Sequence, residues 1–259
     1  MTDNILLSYW YTRKSDMDKL LRPYAGASVF ADSGAFSAMT TGAQIDVHQY
    51  AEWLLRWRHN FTVHSNLDVV GDPLATARNQ AILEDRYGLE PLPVFHAGSP
   101  WSELEQLVER YPYIALGGVA KRQYNAKMLM PWMVQCFRIA GTRSQFHGFG
   151  VTDWKLMSSL PWRSVDSTSW MMVARYGSQL IFAHNRLFQT RIERMDRYAD
   201  DLRRLGFTVA QAKRATIRGT KGGDDALSKE IAIASIGKAQ EHLRRKFNTD
   251  VRIYLAGLL

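Results

Sequence analysis

The feature that most constrains this chain is a recurring unit: a short apolar run that ends in an acid, a histidine or glycine, followed by a helical pattern. SVFADSGAF at 28–36 is the first clear case, an apolar Val29-Phe30-Ala31 closed by Asp32-Ser33-Gly34. LDVVGD, VFHAG, ALGGVA and SVDST repeat it further along. Parallel strands buried on both faces read as such runs. Polar residues placed at their ends are the way a parallel sheet delivers chemistry to one rim. Glycine there permits a tight turn or the close approach of a ligand.

Between these runs lie helical periods joined by connections of a few residues. Residues 46–60 place Tyr50, Trp53, Leu54 and Trp57 on one face. Pro73 stands early in the next helix, where its missing N–H costs nothing. Strands are expected at 4–11, 29–31, 61–70, 92–96, 114–116, 146–151, 164–167 and 180–182. Strand–helix alternation implies a parallel sheet. With about eight strands and polar residues at their C-terminal ends, the expected fold is an α/β, TIM-like (β/α)8 barrel. An open doubly wound sheet is the alternative, but neither GxGxxG nor GxxxxGK[ST] occurs. The character changes after Thr190, so residues 1–190 are expected to form the barrel core. Residues 191–259 are expected to form a helical, basic C-terminal extension packed on it, within a single domain.

Composition narrows the function classes. The 259 residues are 46% hydrophobic, enough for a large core, and the net charge is +8. With a pI near 9.6, the excess favours a polyanionic partner. One cysteine, Cys136, excludes an internal disulfide and any multi-cysteine zinc site. No HxH or HExxH spacing occurs, so no metal and no cofactor are expected. There is neither an apolar run of membrane-spanning length nor the basic start of a signal peptide, and a cytoplasmic protein is expected.

Asp32, Asp68, Asp72, His96, Asp153 and Asp166 fall at or just beyond expected strand ends. Carboxylates there can serve as nucleophile, as general acid or base, or as acceptors for a ligand's N–H groups. Asp72 and Asp153 each precede a helix and have a structural explanation as caps. Asp166 has no helix to cap, and Trp170 is near. His96 reads either as a rim histidine or as a functional one, whereas His147 and His184 read as structural. Gly117 and Gly118 would let a flat ligand lie against the backbone. The basic run at 213–221, with Lys213, Arg214, Arg218 and Lys221, reads either as a solvated face or as a phosphate-contacting edge.

Taken in order, these motifs resemble those of the tRNA-guanine transglycosylases. DSGAF at 32–36 resembles that family's DSGGF. NLDVVGD at 66–72 sits where the family has its base-recognition aspartate. ALGGVA at 115–120 resembles its GGLAVGE segment, and VDSTSW at 165–170 falls where it carries its nucleophilic aspartate. The resemblance spans roughly residues 5–185. It departs from the tRNA enzymes in lacking the three cysteines of their zinc site and in its shorter length. It is closest to the zinc-free phage and bacterial relatives that exchange guanine in DNA for a 7-deazaguanine. The resemblance implies a pentosyltransferase with Asp166 as nucleophile and Asp32 as general acid and base. Ser33, Asp68, His96, Gly117 and Gly118 would bind the base, of preQ0 type. The implied partners are DNA and the free 7-deazaguanine base, with no membrane; in a phage-borne enzyme the setting would be the host cytoplasm. A zinc-free tRNA enzyme and a non-catalytic nucleic-acid-binding barrel are the alternatives.

Overall fold

The structure is a computed structural model that describes residues 3–118, 126–168, 178–215 and 225–257. Its centre is an α/β assembly: one curled sheet of eight strands, all paired in parallel, with helices over its outer face. The first seven strands are β1 (Asn4–Ser8), β2 (Ser28–Asp32), β3 (Val63–His64), β4 (Val94–His96), β5 (Tyr113–Gly117), β6 (Gln145–Gly148) and β7 (Ser164–Ser167). Between them run α1 (Tyr9–Thr12), α2 (Met17–Leu21), α3 (Ala35–Thr40), α4 (Val47–Trp57), α5 (Pro73–Ala81), α6 (Trp101–Arg110), α7 (Ala126–Ala140) and α8 (Trp154–Ser159).

Several expectations about the strands need correction. The strand expected at 4–11 ends at Ser8, where α1 begins, and of 61–70 only Val63–His64 is strand. Residues 180–182 are extended, but they belong to an antiparallel hairpin outside the sheet, β8 (Ser178–Ala183) with β9 (Arg186–Arg191). Its turn, His184-Asn185, has both residues at positive φ, 51° and 59°, the twist that suits a two-residue hairpin connection. The eighth strand of the sheet is instead β10 (Arg252–Ala256), inserted between β1 and β7. The sheet therefore draws on both sides of the boundary expected at residue 190. Before β10 come α9 (Ala199–Arg204), α10 (Val209–Ala215) and the long α11 (Asp225–Phe247). Helices α9, α10 and α11 cover the hairpin with a small core of their own around Ile181, Met195, Leu202 and Ile231.

Side chains obey a strict period of two. Ile5 and Leu7 of β1, with Val29 and Ala31 of β2, point outward into a core shared with α2 and α4. Phe95, Ile114, Leu116, Phe146, Val165, Ile253 and Leu255 point outward into a larger core beneath α6, α7, α8 and α11. The residues between them point inward. Leu6, Phe30, Val94, Ala115, Tyr254 and Ala256 form a separate apolar cluster on the concave face. One further bridge forms outside the named strands. Ser65 and Leu92 form a parallel bridge just past β3 and before β4, with Leu92 N–H donating to His64 O at 2.8 Å and Asn66 N–H to Leu92 O at 2.9 Å. Among the described residues no helix is long and apolar enough to cross a membrane.

Candidate active site

Continuing the inward parity by one step past the apolar cluster gives the site. Asp32 is two residues beyond Phe30, His96 two beyond Val94, Gly117 two beyond Ala115 and Asp166 two beyond Ser164. All sit at the C-terminal ends of their strands. There a cavity of about 750 Å³ opens. Asp32, Asp68, Asp166, Gly117 and Gly118 line it together, with Leu6, Ser8, Tyr11, Phe36, Met39 and Gly150 among its other walls. Most of the wall is apolar and a few polar groups converge on it, as in small-molecule sites generally.

Asp32 is positioned by the turn that follows it. Its Oδ2 accepts the Gly34 N–H at 2.9 Å, and Oδ1 accepts a longer bond from the Ser65 hydroxyl at 3.4 Å. Burial pushes its carboxyl up to about 7, reinforced by the negative charges of Asp68 and Asp166; the two donors pull weakly the other way. A carboxyl titrating near neutrality can both give and take a proton at the working pH of a cell. Ser33, expected in the pocket, is fully buried behind it. Its N–H donates to Ser65 Oγ at 3.2 Å and its own hydroxyl accepts the Ala35 N–H at 3.3 Å, so it shapes the turn.

Gly34 takes φ +74°, and a Cβ there would lie 2.2 Å from Ser8 Oγ and 2.6 Å from Trp10 Cβ. The glycine lets α3 close onto α1. Gly34→Ala combines a left-handed conformation, about 1–2 kcal/mol for an L side chain, with that collision. The midpoint of thermal unfolding should fall by roughly 5 °C or more. An unchanged midpoint would mean that α1 and α3 are not in contact.

Asp68 is held from behind. His96, 6% exposed, meets Asp68 Oδ2 through Nε2 at 2.9 Å and does not itself line the cavity. Gly117 makes room for this, since a Cβ there would come within 3.0 Å of His96 Cδ2 and 2.9 Å of Val94 Cγ1. Gly118 adopts φ +75° beside it. His96 thus occupies one carboxylate oxygen of Asp68, a residue that lines the cavity.

Asp166 has different neighbours. Its Oδ1 accepts the Gly150 N–H at 2.7 Å. His147, fully buried, brings Nε2 to 3.4 Å from the same oxygen, too poorly aligned for a hydrogen bond. The other ring nitrogen, Nδ1, lies 2.6 Å from Ser164 Oγ, which is 2.6 Å from the Tyr113 hydroxyl. With Tyr113 donating to Ser164 and Ser164 to Nδ1, the proton of His147 resides on Nε2, the nitrogen nearer Asp166. Nothing in QFHG distinguishes His147 from a packing histidine; its relation to Asp166 appears only when β6 pairs with β7.

Asp72 and Asp153 are caps, as their positions suggested. Asp72 accepts from Ala75 N–H at 2.9 Å, and Asp153 from Lys155 and Leu156 N–H at 2.8 and 3.2 Å. In the basic run, Lys213 sits on α10 with Nζ 2.6 Å from Asp196 Oδ2, and Arg214 follows it on the same helix. Arg218, Lys221 and Trp170 lie outside the described residues. Among the described residues, no group of three or more His, Cys, Asp or Glu could hold a metal ion. No protein-family model matches the chain, and no curated protein matches it.

Proposed function

We propose that this protein is a base-exchanging glycosyltransferase that replaces guanine in DNA by a 7-deazaguanine, on a closed (β/α)8 barrel. The bridge between Ser65 and Leu92 supports closure of the sheet. The observation that carries the reaction is a single cavity lined by three carboxylates in unlike settings, one of them, Asp32, poised near neutrality. Two of them, Asp166 and Asp32, suit a double displacement at a sugar carbon. The Asp166 carboxylate attacks C1′, the bond from C1′ to the purine nitrogen breaks, and Asp32 donates its proton to the departing guanine. The incoming base returns a proton to Asp32 as its nitrogen attacks C1′ and frees the Asp166 carboxylate. One glycosidic bond replaces another, so no external energy source enters. Asp68 accepts N–H groups from the base, with His96 fixing its orientation.

Exchange of labelled guanine for unlabelled guanine tests this without knowing which deazaguanine is inserted. Purified protein, a guanine-containing DNA duplex and labelled free guanine should give labelled DNA, while bulk tRNA stays unlabelled. Label entering tRNA alone would assign the tRNA reaction, and label entering neither would overturn the proposal.

A further inference from the structure

Around the mouth of the cavity stand large apolar side chains that folding leaves uncovered. Tyr11 is 72% exposed, Phe36 49% and Met39 46%, and all three line the same opening as the carboxylates. Clustered apolar exposure of this kind marks a contact surface.

These side chains are rigidly mounted. Tyr9, at the start of α1, is buried and packs edge-on against Tyr50 and Trp53, with ring centroids 5.2 and 5.3 Å apart. The Thr12 hydroxyl closes the turn on Ser8 O at 2.8 Å. Tyr11 lies on that turn, facing out. Phe36 is the second residue of α3, two positions after the glycine that fastens α3 to α1. One short motif, DSGAF, therefore sets out both the acid Asp32 and the aromatic Phe36. Beside Tyr11, the Arg13 guanidinium rests over the Trp10 ring at 4.1 Å, and Arg13 and Lys14 are both exposed.

Charge decides what can lie where. Three carboxylates line the cavity, so a phosphodiester is repelled from the interior and a neutral base is admitted. The backbone must then run outside the cavity, and the exposed Arg13 and Lys14 follow Tyr11 in the chain. The bases on either side of the inserted one come to lie over the rim aromatics.

We propose that Tyr11 and Phe36 are stacking platforms for the unpaired bases that flank the target nucleotide, so the rim docks a locally single-stranded segment of DNA. Stacking on an aromatic face is tolerant of base identity. The inference rests on the reading of the cavity as a site for a base attached to a polynucleotide.

The test uses fluorescence anisotropy of a labelled single-stranded DNA oligomer with one central guanine, alongside calorimetry with free guanine. Tyr11→Ala and Phe36→Ala should each weaken oligomer binding by about 5- to 100-fold. Tyr11→Phe and Phe36→Tyr should restore it, and any loss of affinity for free guanine should be much smaller than the loss for the oligomer. Oligomer affinity unaltered in both alanine variants overturns the inference, as does a matching loss for free guanine, which would report a collapsed cavity. An RNA oligomer of the same sequence bound more tightly, with the same rim dependence, overturns the assignment to DNA. Rim-dependent binding by a wild-type protein that exchanges no base would leave the platform standing and sink the catalytic reading. Base exchange with rim-independent binding would do the reverse.

Discussion

Asp166→Asn is expected to abolish the covalent protein–DNA adduct, with exchange falling by at least about 10³-fold. The substitution keeps the size of the side chain and an oxygen that can still accept the Gly150 N–H, which approaches at 2.7 Å. It removes the charge that must attack C1′. The cavity keeps Asp32, Asp68 and the glycine backbone of Gly117 and Gly118, so affinity for the free base should survive. Asp32→Asn should act differently. Without a proton donor the guanine leaves more slowly, by roughly 10²- to 10⁴-fold, but the nucleophile is intact and a slow adduct still forms. Asp68→Asn should chiefly alter base selection, since an amide presents a donor where the base needs an acceptor. Denaturing electrophoresis of labelled DNA with the three variants separates these outcomes. An adduct that persists in Asp166→Asn would move the nucleophile to another residue, Asp32 first.

The second large effect needs no substrate. The Asp32 carboxyl is raised from 3.8 to about 7 by burial and by its acidic neighbours. Between those values the folded protein keeps a proton that the unfolded chain has released. Stability therefore falls as pH rises through that window, and the loss is complete above about 7. At about 1.36 kcal/mol per tenfold change in acidity the ceiling is about 4 kcal/mol. Water reaching the cavity screens the charge and reduces this to about 1–3 kcal/mol. Asp32→Asn removes the penalty. Its unfolding midpoint should match the wild type near pH 4 and exceed it by several degrees at pH 8. A difference that does not change with pH would show that Asp32 titrates normally.

Much of the sheet could be read from single runs. Val29 to Ala31, Val94 to His96 and Ile114 to Leu116 are apolar enough, and their polar endings sharp enough, to declare parallel strands. The carboxylates followed from the same endings: Asp32, Asp68 and Asp166 line one cavity. What escaped depends on partners. RIYLA at 252–256 is a short apolar run that follows a long helix, and only its pairing with β1 and β7 makes it part of the sheet. The hairpin of β8 and β9 hid because its turn is His184-Asn185, without the glycine that usually announces such a turn. His147 gained meaning from Asp166, a residue on another strand. His96 and Ser33 were legible as residues of the site, yet their work, holding Asp68 and shaping the turn, lies in contacts that no spacing records.

The placement of β10 also governs how the molecule can be made. Ile5 pairs with Leu255, so β1 meets its neighbour across nearly the whole sequence. A ribosome that has delivered β1 to β7 has produced two pieces of sheet, β3-β2-β1 and β7-β6-β5-β4, with a gap between β1 and β7. Both flanks of that gap carry unsatisfied peptide groups, a hazard for pairing with other chains. Closing it requires contacts of very long sequence separation, which fold slowly. At 5–20 residues per second the helices from α9 to α11 take several more seconds to emerge before the gap can be filled. A nascent chain of this protein is thus a client for whatever shields open sheet edges, and loss of residues 252–256 would leave that exposure permanent.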